Sequence, residues 1–315
     1  MKTKFYFIIR LIISLGALFF LLWYMRDRIG PTLNVLRTIR LELFAAAFLM
    51  QLFCLLISSL RLKVILGVQD INLSLAGVFK LNLIGIFFNN FLPTSAGGDI
   101  VKAHYISKKS LGYLEPFSAI ITDRLVGALT FTLLASAAFL FAGKYVVNAA
   151  VKWLVLIMLL AVTTVIFVLT NRSAGKKISS ILKRFHFLKF NSYAQRLTAI
   201  LNNYKKKKKV FFQAMLLSLA AQLITVITNY LLAKSLSLSI PLRVFLLLVP
   251  VICATSSILP SLNGLGIREG AYIYFFSGII QPEKALAISV LWLVMLLISS
   301  VFGSISYLIG KPLKS

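Results

Sequence analysis

Three clusters of charge stand where charge is expensive. Asp99 and Lys102 follow the stretch Phe91-Leu-Pro-Thr-Ser-Ala-Gly97, Asp123 and Arg124 open a long apolar run, and Arg268 and Glu269 follow Ile258-Leu-Pro-Ser-Leu-Asn-Gly264. Ionisable residues inside apolar segments usually face a bundle interior or an aqueous cavity, which makes them functional candidates by default. An arginine can close a two-pronged fork on a phosphate. If the segment after Gly266 is helical, Arg268 and Glu269 fall in its first turn, where amide donors and the helix dipole favour an anion. Arg268 is then the expected phosphate ligand, with Glu269 orienting it or taking up a proton. The competing expectation is that Asp99 with Arg124, or Arg268 with Glu269, form internal ion pairs that only hold the bundle together.

Other chemistries find less support. Asp99 and Asp123 could be an intramembrane aspartyl dyad sharing a proton. However, Ala96-Gly-Gly-Asp99 lacks the Gly-x-Gly-Asp pattern of such proteases, and Asp123 precedes a cation. The two histidines, His104 and His186, lie among basic residues and offer no zinc-ligand spacing. There is no phosphate-loop motif for a nucleotide-driven pump. Cys54 and Cys253 sit in apolar segments as packing residues. No metal, cofactor or catalytic residue is expected.

The elements that must position these residues are membrane helices. Of the 315 residues, 59% are hydrophobic and only 13% charged, against roughly one-quarter charged in soluble domains. Segments Phe5 to Met25, Leu43 to Leu60, Leu125 to Ala142, Val151 to Thr170, Val210 to Ala233 and Ala285 to Ile309 approach or exceed the roughly twenty residues that cross a bilayer. The first follows Lys2 and Lys4 but is too long for a signal peptide and has no small-residue cleavage site. The +26 charge is explained by loops facing an anionic cytoplasmic leaflet and not by nucleic acid. Residues 171–209 carry much of it, with no Asp or Glu. There Ile178, Ile181, Leu182, Phe185 and Leu188 recur at helical spacing, so the linker is expected to lie as amphipathic helix on the cytoplasmic surface.

An internal repeat organises the rest. Pro93 and Pro260 share the pattern apolar-Leu-Pro-hydroxyl-x-x-Gly, and the same shift places Thr94 on Ser261, Gly97 on Gly264 and Tyr105 on Tyr272. It also superimposes Leu43 to Leu60 on Val210 to Ile227. Pro interrupts a helix and the following glycines allow unusual backbone angles. In hydrocarbon such breaks survive only where they are buried or line a cavity, and a matched pair points to a transporter-like site at the membrane midplane. The expected fold is therefore all-α and polytopic, with about six spanning helices and two Pro/Gly-broken or re-entrant helix pairs arranged as inverted repeats. Its parts are residues 1–40 (first helix and loop), 41–142 (first repeat), 143–170 (connecting helix), 171–209 (basic linker), 210–309 (second repeat) and 310–315 (tail). Both termini are expected in the cytoplasm. One feature resists: the first external loop would carry Arg26, Arg28, Arg37 and Arg40 against Asp27 and Glu42.

The run Asn89-Asn-Phe-Leu-Pro-Thr-Ser-Ala-Gly-Gly-Asp-Ile-Val-Lys-Ala103, then Asp123-Arg124, then Leu259-Pro-Ser-Leu-Asn-Gly-Leu-Gly-Ile-Arg-Glu269, resembles the lysylphosphatidylglycerol synthase transmembrane-region family. That family includes the flippase-like membrane domain of the multiple peptide resistance factor and relatives linked to lipid-carried sugars. The resemblance implies a protein of the cell membrane, the inner one where there are two, that moves or presents an anionic lipid. Asn90, Pro93, Gly97, Gly98, Asp99 and Arg124 match one set of family positions, and Pro260, Gly264, Gly266, Arg268 and Glu269 the other. Lys102 stands where many relatives use Arg, and Asp123 where Glu is frequent. No aminoacyl-transferase domain follows before Ser315, so lipid lysylation is not expected.

The expected function is a lipid transporter or flippase-like protein. It would bind the anionic headgroup of a phospholipid or polyprenyl-phosphate-linked lipid through Arg268, Glu269, Arg124, Asp99, Lys102, Asp123 and Asn90. The alternatives are an accessory subunit that binds lipid beside a membrane glycosyltransferase or synthase, and an intramembrane aspartyl protease. The expected partners are anionic lipid and membrane, with a second copy or a membrane enzyme as candidate protein partners.

Overall fold

A computed structural model describes residues 29–91, 97–108, 112–142, 207–258 and 264–309, together with residue 26 and single positions between 153 and 160. The expected first span, most of the fourth, the linker up to residue 206, the tail and both Pro-containing breaks, Pro93 and Pro260 included, lie outside the described residues. Every regular element described is helical. In chain order these are α1 (Ile29–Arg37), α2 (Leu41–Leu66), α3 (Leu75–Phe91), α4 (Gly97–Ser107), α5 (Leu114–Ala142), α6 (Lys208–Ser235), α7 (Leu242–Ile258), α8 (Ile267–Phe275) and α9 (Pro282–Leu308). A short 3-10 turn, Gly67–Gln69, continues α2.

Four helices, α2, α5, α6 and α9, are long and apolar enough to cross a membrane, and α3 and α7 are shorter apolar helices. They are apolar all round because both lipid and neighbouring helices are apolar. Their buried hydroxyls are satisfied within the helix: Ser59, Thr130, Thr225, Thr228 and Ser299 each donate to the carbonyl four residues earlier. That removes the penalty of an unpaired polar group in hydrocarbon.

The repeat is visible in the elements themselves. Shifting by the 167 positions that separate Cys54 from Ala221 carries the start of α2 onto that of α6, and α3 onto α7 at both ends. The packing obeys the same exchange. The last long helix of each half crosses to the other half's broken pair, so α9 lies on α3 and α5 on α7. Gly303 of α9 permits this: a Cβ there would stand 2.2 Å from the Leu83 carbonyl oxygen of α3, and small residues let membrane helices approach closely.

The halves run in opposite directions. Helices α2 and α6 pack along their length, and contacts join Arg40 to Ser235, Cys54 to Ala221 and Lys207 to Val68. As one number rises the other falls, so these equivalent helices are antiparallel. Two copies of one plan, paired antiparallel through their equivalent spanning helices, are inverted repeats. The approximate two-fold passes beside Cys54 and Ala221, near the middle of both helices.

The helices on either side of each break run back along one another as a helical hairpin. On α3 and α4, Gly98 meets Gly85 and Lys102 reaches Asn82, so α4 returns antiparallel to α3. On α7 and α8, Gly264 lies beside Ser256 and the ring of Phe276, just past α8, packs on Phe245 at 5.4 Å. The return helices α4 and α8 contain 11 and 9 residues, about 16 and 13 Å of rise. Neither length crosses a bilayer core of about 30 Å.

Candidate anion site between the two halves

Asp99 lies in the first turn of α4 and is buried. Its Oδ1 pairs with Lys102 Nζ at 2.9 Å, one helical turn on, and its Oδ2 accepts from Nε of Arg124 on α5. Lys102 also donates to Asn82 Oδ1 at 3.3 Å, and Asn82 donates to Ser59 Oγ at 2.9 Å. The hairpin that brings these residues together depends on Gly98. A Cβ at that position would stand 2.1 Å from the Gly85 carbonyl oxygen. The Gly98 amide is in turn capped by Asn89 Oδ1 at 2.8 Å, an acceptor that satisfies a donor with no intrahelical partner.

The second half builds its cluster differently. Gly264 and Gly266 take φ values of 82° and 79°, a left-handed region costly for side chains with a Cβ. That turn starts α8 so that Arg268 and Glu269 occupy its first turn, both buried. Glu269 Oε2 accepts from the Gly266 amide at 2.6 Å, while Oε1 holds Arg268 Nη2 at 2.7 Å and Nε at 3.1 Å. Ser289 of α9 also donates to Oε1 at 3.3 Å. The guanidinium is thereby fixed in place, and its Nη1 has no hydrogen-bond partner among the described residues.

A cavity of about 320 Å³ joins the clusters, lined by Arg124 and Arg268 with Gln51, Asn89, Thr225 and Trp292 among its other walls. No carboxylate lines it among the described residues. Asp99 and Glu269 stand behind the arginines. Gln51 and Thr225 lie within about a turn of Cys54 and Ala221, so the cavity sits at mid-length of the paired spanning helices, close to the two-fold.

The expected site residues thus separate into groups. Arg124 and Arg268 reach the cavity; Asp99, Lys102 and Glu269 form their charged support; Gly97, Gly98, Gly264 and Gly266 shape the hairpins. Asp123 and Asn90 are engaged elsewhere. Asp123 sits within α5, which begins at Leu114 and not at Leu125, and it accepts two bonds from Arg61, Nε at 2.6 Å and Nη2 at 2.9 Å. Asn90 donates to Ser300 Oγ on α9 and to the Leu296 carbonyl at 3.4 Å. Both expected ion pairs, Asp99 with Arg124 and Arg268 with Glu269, are present. Arg61 was not among the expected residues, because the apolar run breaks at Leu60 and a basic residue there reads as the end of a span. Helix α2 instead continues to Leu66 and buries Arg61. Asp123, a carboxylate in need of a partner within apolar sequence, was the available signal.

Fold and site together define an all-α polytopic membrane protein whose inverted halves enclose a cavity lined by one arginine from each. Sequence comparison then gives the family: the chain belongs to the one described as the lysylphosphatidylglycerol synthase TM region, which it matches over residues 7–303. It is 28% identical over 292 residues to a UPF0104 membrane protein of Methanocaldococcus jannaschii, covering 86% of this chain and 85% of that one. A UPF0104 membrane protein of Methanothermobacter thermautotrophicus is 24% identical over 253 residues, 73% and 74% of the respective chains. Family and helices place the chain in a membrane and support a lipid-related role there.

Proposed function

We propose that this protein carries an anionic lipid headgroup across the bilayer, with the headgroup's phosphate held between Arg124 and Arg268. The observation that carries this reading is that inverted halves each present an arginine to one cavity at mid-length of the spanning helices. A guanidinium recognises phosphate through paired, charge-assisted bonds, and the pair offered here is a buried Arg268 and a half-exposed Arg124. The cavity volume, about 320 Å³, suits a headgroup and not a whole lipid. The acyl or polyprenyl chains would stay in the bilayer while the polar part passes.

The test is translocation of labelled anionic lipids, phospholipid and polyprenyl phosphate, in liposomes containing the purified protein. Protein-dependent movement is expected, and Arg268→Ala should slow it about tenfold to a hundredfold, the equivalent of a lost bond to a charged group at about 1.5–3 kcal/mol. Equal movement with and without protein across the panel would refute transport. Lipid binding without movement would favour the accessory-subunit reading.

A further inference from the structure

A third charge cluster, buried like the others, lies towards one end of the paired spanning helices and has no charged counterpart at the other among the described residues. Arg61 of α2 forks onto Asp123 of α5, and its Nη1 donates to Ser218 Oγ of α6 at 2.7 Å. Ser218 in turn shares a hydrogen bond of 2.6 Å with Thr130 of α5. One guanidinium therefore ties together three helices, two from the first half and one from the second. The pair is well shielded, with side-chain exposures of 10% and 15%.

Its depth follows from helix rise. Arg61 lies about 15 Å along α2 beyond Gln51, and Ser218 about 10 Å along α6 before Thr225, both on the side where α2 ends and α6 begins. Asp123 adjoins Arg124, which marks the same end of the cavity wall. The bonded set thus closes the helices on the side where Lys207, Lys208 and Lys209 stand. On the opposite side the repeat places Thr228 for Arg61, Val290 for Asp123, Gln51 for Ser218 and Leu297 for Thr130. None is charged. Thr228 bonds only its own helix, and the polar tie near it is the neutral bond from Tyr272 to Asn229.

We infer that the Arg61–Asp123 pair is a gate on the lysine-bearing side of the cavity, closed in this structure. The inference rests on the transport reading only in that the cavity must open alternately to the two sides, and it is independent of which lipid is carried. An opening on this side must separate Arg61 from Asp123 or from Ser218, because these groups belong to three different helices. Breaking a buried pair leaves an uncompensated charge, whereas replacing both partners by apolar residues is often tolerated.

Cys253 lines the cavity and provides the reporter, and Cys54→Ala leaves it as the only cysteine of the chain. A membrane-impermeant maleimide is applied separately to each face, using right-side-out and inverted vesicles. With the pair intact, Cys253 should react slowly from the lysine-bearing face. Arg61→Leu combined with Asp123→Leu should raise that rate at least tenfold and leave the rate from the other face within twofold. The swapped pair, Arg61→Asp with Asp123→Arg, should restore slow labelling and decides the matter if the apolar variant does not fold. Unchanged labelling, or an equal rise from both faces, would overturn the gate. Lipid translocation measured on the same preparations separates the two claims: absent translocation with one-sided labelling defeats the transport reading alone.

Discussion

Each arginine on the cavity is held from behind by a carboxylate, and the two arrangements differ in what they leave available. Arg268 is fixed through Nε and Nη2 by a single oxygen of Glu269, so the acid acts as a jig for the guanidinium. Glu269→Gln has a single acceptor oxygen, so keeping the bond to the Gly266 amide turns its NH2 donor towards the guanidinium and removes the acceptor that holds Arg268. The expected result is correctly folded protein with lipid affinity lowered about tenfold to a hundredfold, read by binding titration and matched to about 1.5–3 kcal/mol for a lost bond to a charged group. Arg268→Lys should not recover wild-type affinity, because an ammonium cannot reproduce a planar fork. Full affinity in the lysine variant would show that only charge matters. At this scale the sequence revealed the identities of the cavity arginines and their carboxylates. It did not reveal that Asp123 belongs to Arg61, since the two are 62 positions apart and only packing unites them.

At the level of elements, the hairpins are set by glycine and not by side-chain chemistry. Gly98 touches the backbone of Gly85, so Gly98→Ala must push α4 away from α3 and carry Asp99 and Lys102 with it. A loss of about 1–3 kcal/mol or more is expected from overpacking, seen as a lower unfolding temperature in detergent together with weakened lipid binding. Gly270→Ala is the matched control, because nothing lies within 4 Å of the added carbon, and Ala is the better helix former by up to about 1 kcal/mol. If both substitutions behave alike, the close approach of the hairpin arms is not what sets its stability. The Pro and Gly positions made the breaks legible in the sequence. The hairpin form was not, because it depends on Gly85 and Asn82, two residues inside α3 that no local pattern marks as contacts of α4.

At the scale of the molecule, the described helices from α2 to α9 are two copies of one plan joined antiparallel through α2 and α6. Repeat spacing was readable from the matched Leu-Pro-hydroxyl motifs, and the coincidence of α3 with α7 shows why: both halves must form the same hairpin. The antiparallel seam was only implied, since contacts such as Cys54 with Ala221 leave no local pattern. A cysteine pair tests it. Arg40→Cys with Ser235→Cys, whose backbones share a 2.8 Å hydrogen bond, should form a disulfide under mild oxidation. Arg40→Cys with Val210→Cys, neighbours only if the helices were parallel, should not. The reverse outcome would overturn the inverted arrangement.

That arrangement matters because it puts Arg124 and Arg268, 144 positions apart in sequence numbering, on one cavity. The most direct test is a double-mutant cycle on lipid affinity, using Arg124→Gln, Arg268→Gln and the combination. Binding is read from quenching of Trp292, which lines the cavity, by a brominated anionic phospholipid, with Trp23 and Trp153 replaced by Phe. Two arginines sharing one phosphate should be coupled, the double variant losing less than the sum of the single losses by about 1 kcal/mol or more. Strictly additive losses would mean that the arginines hold separate ligands, and would contradict the shared site.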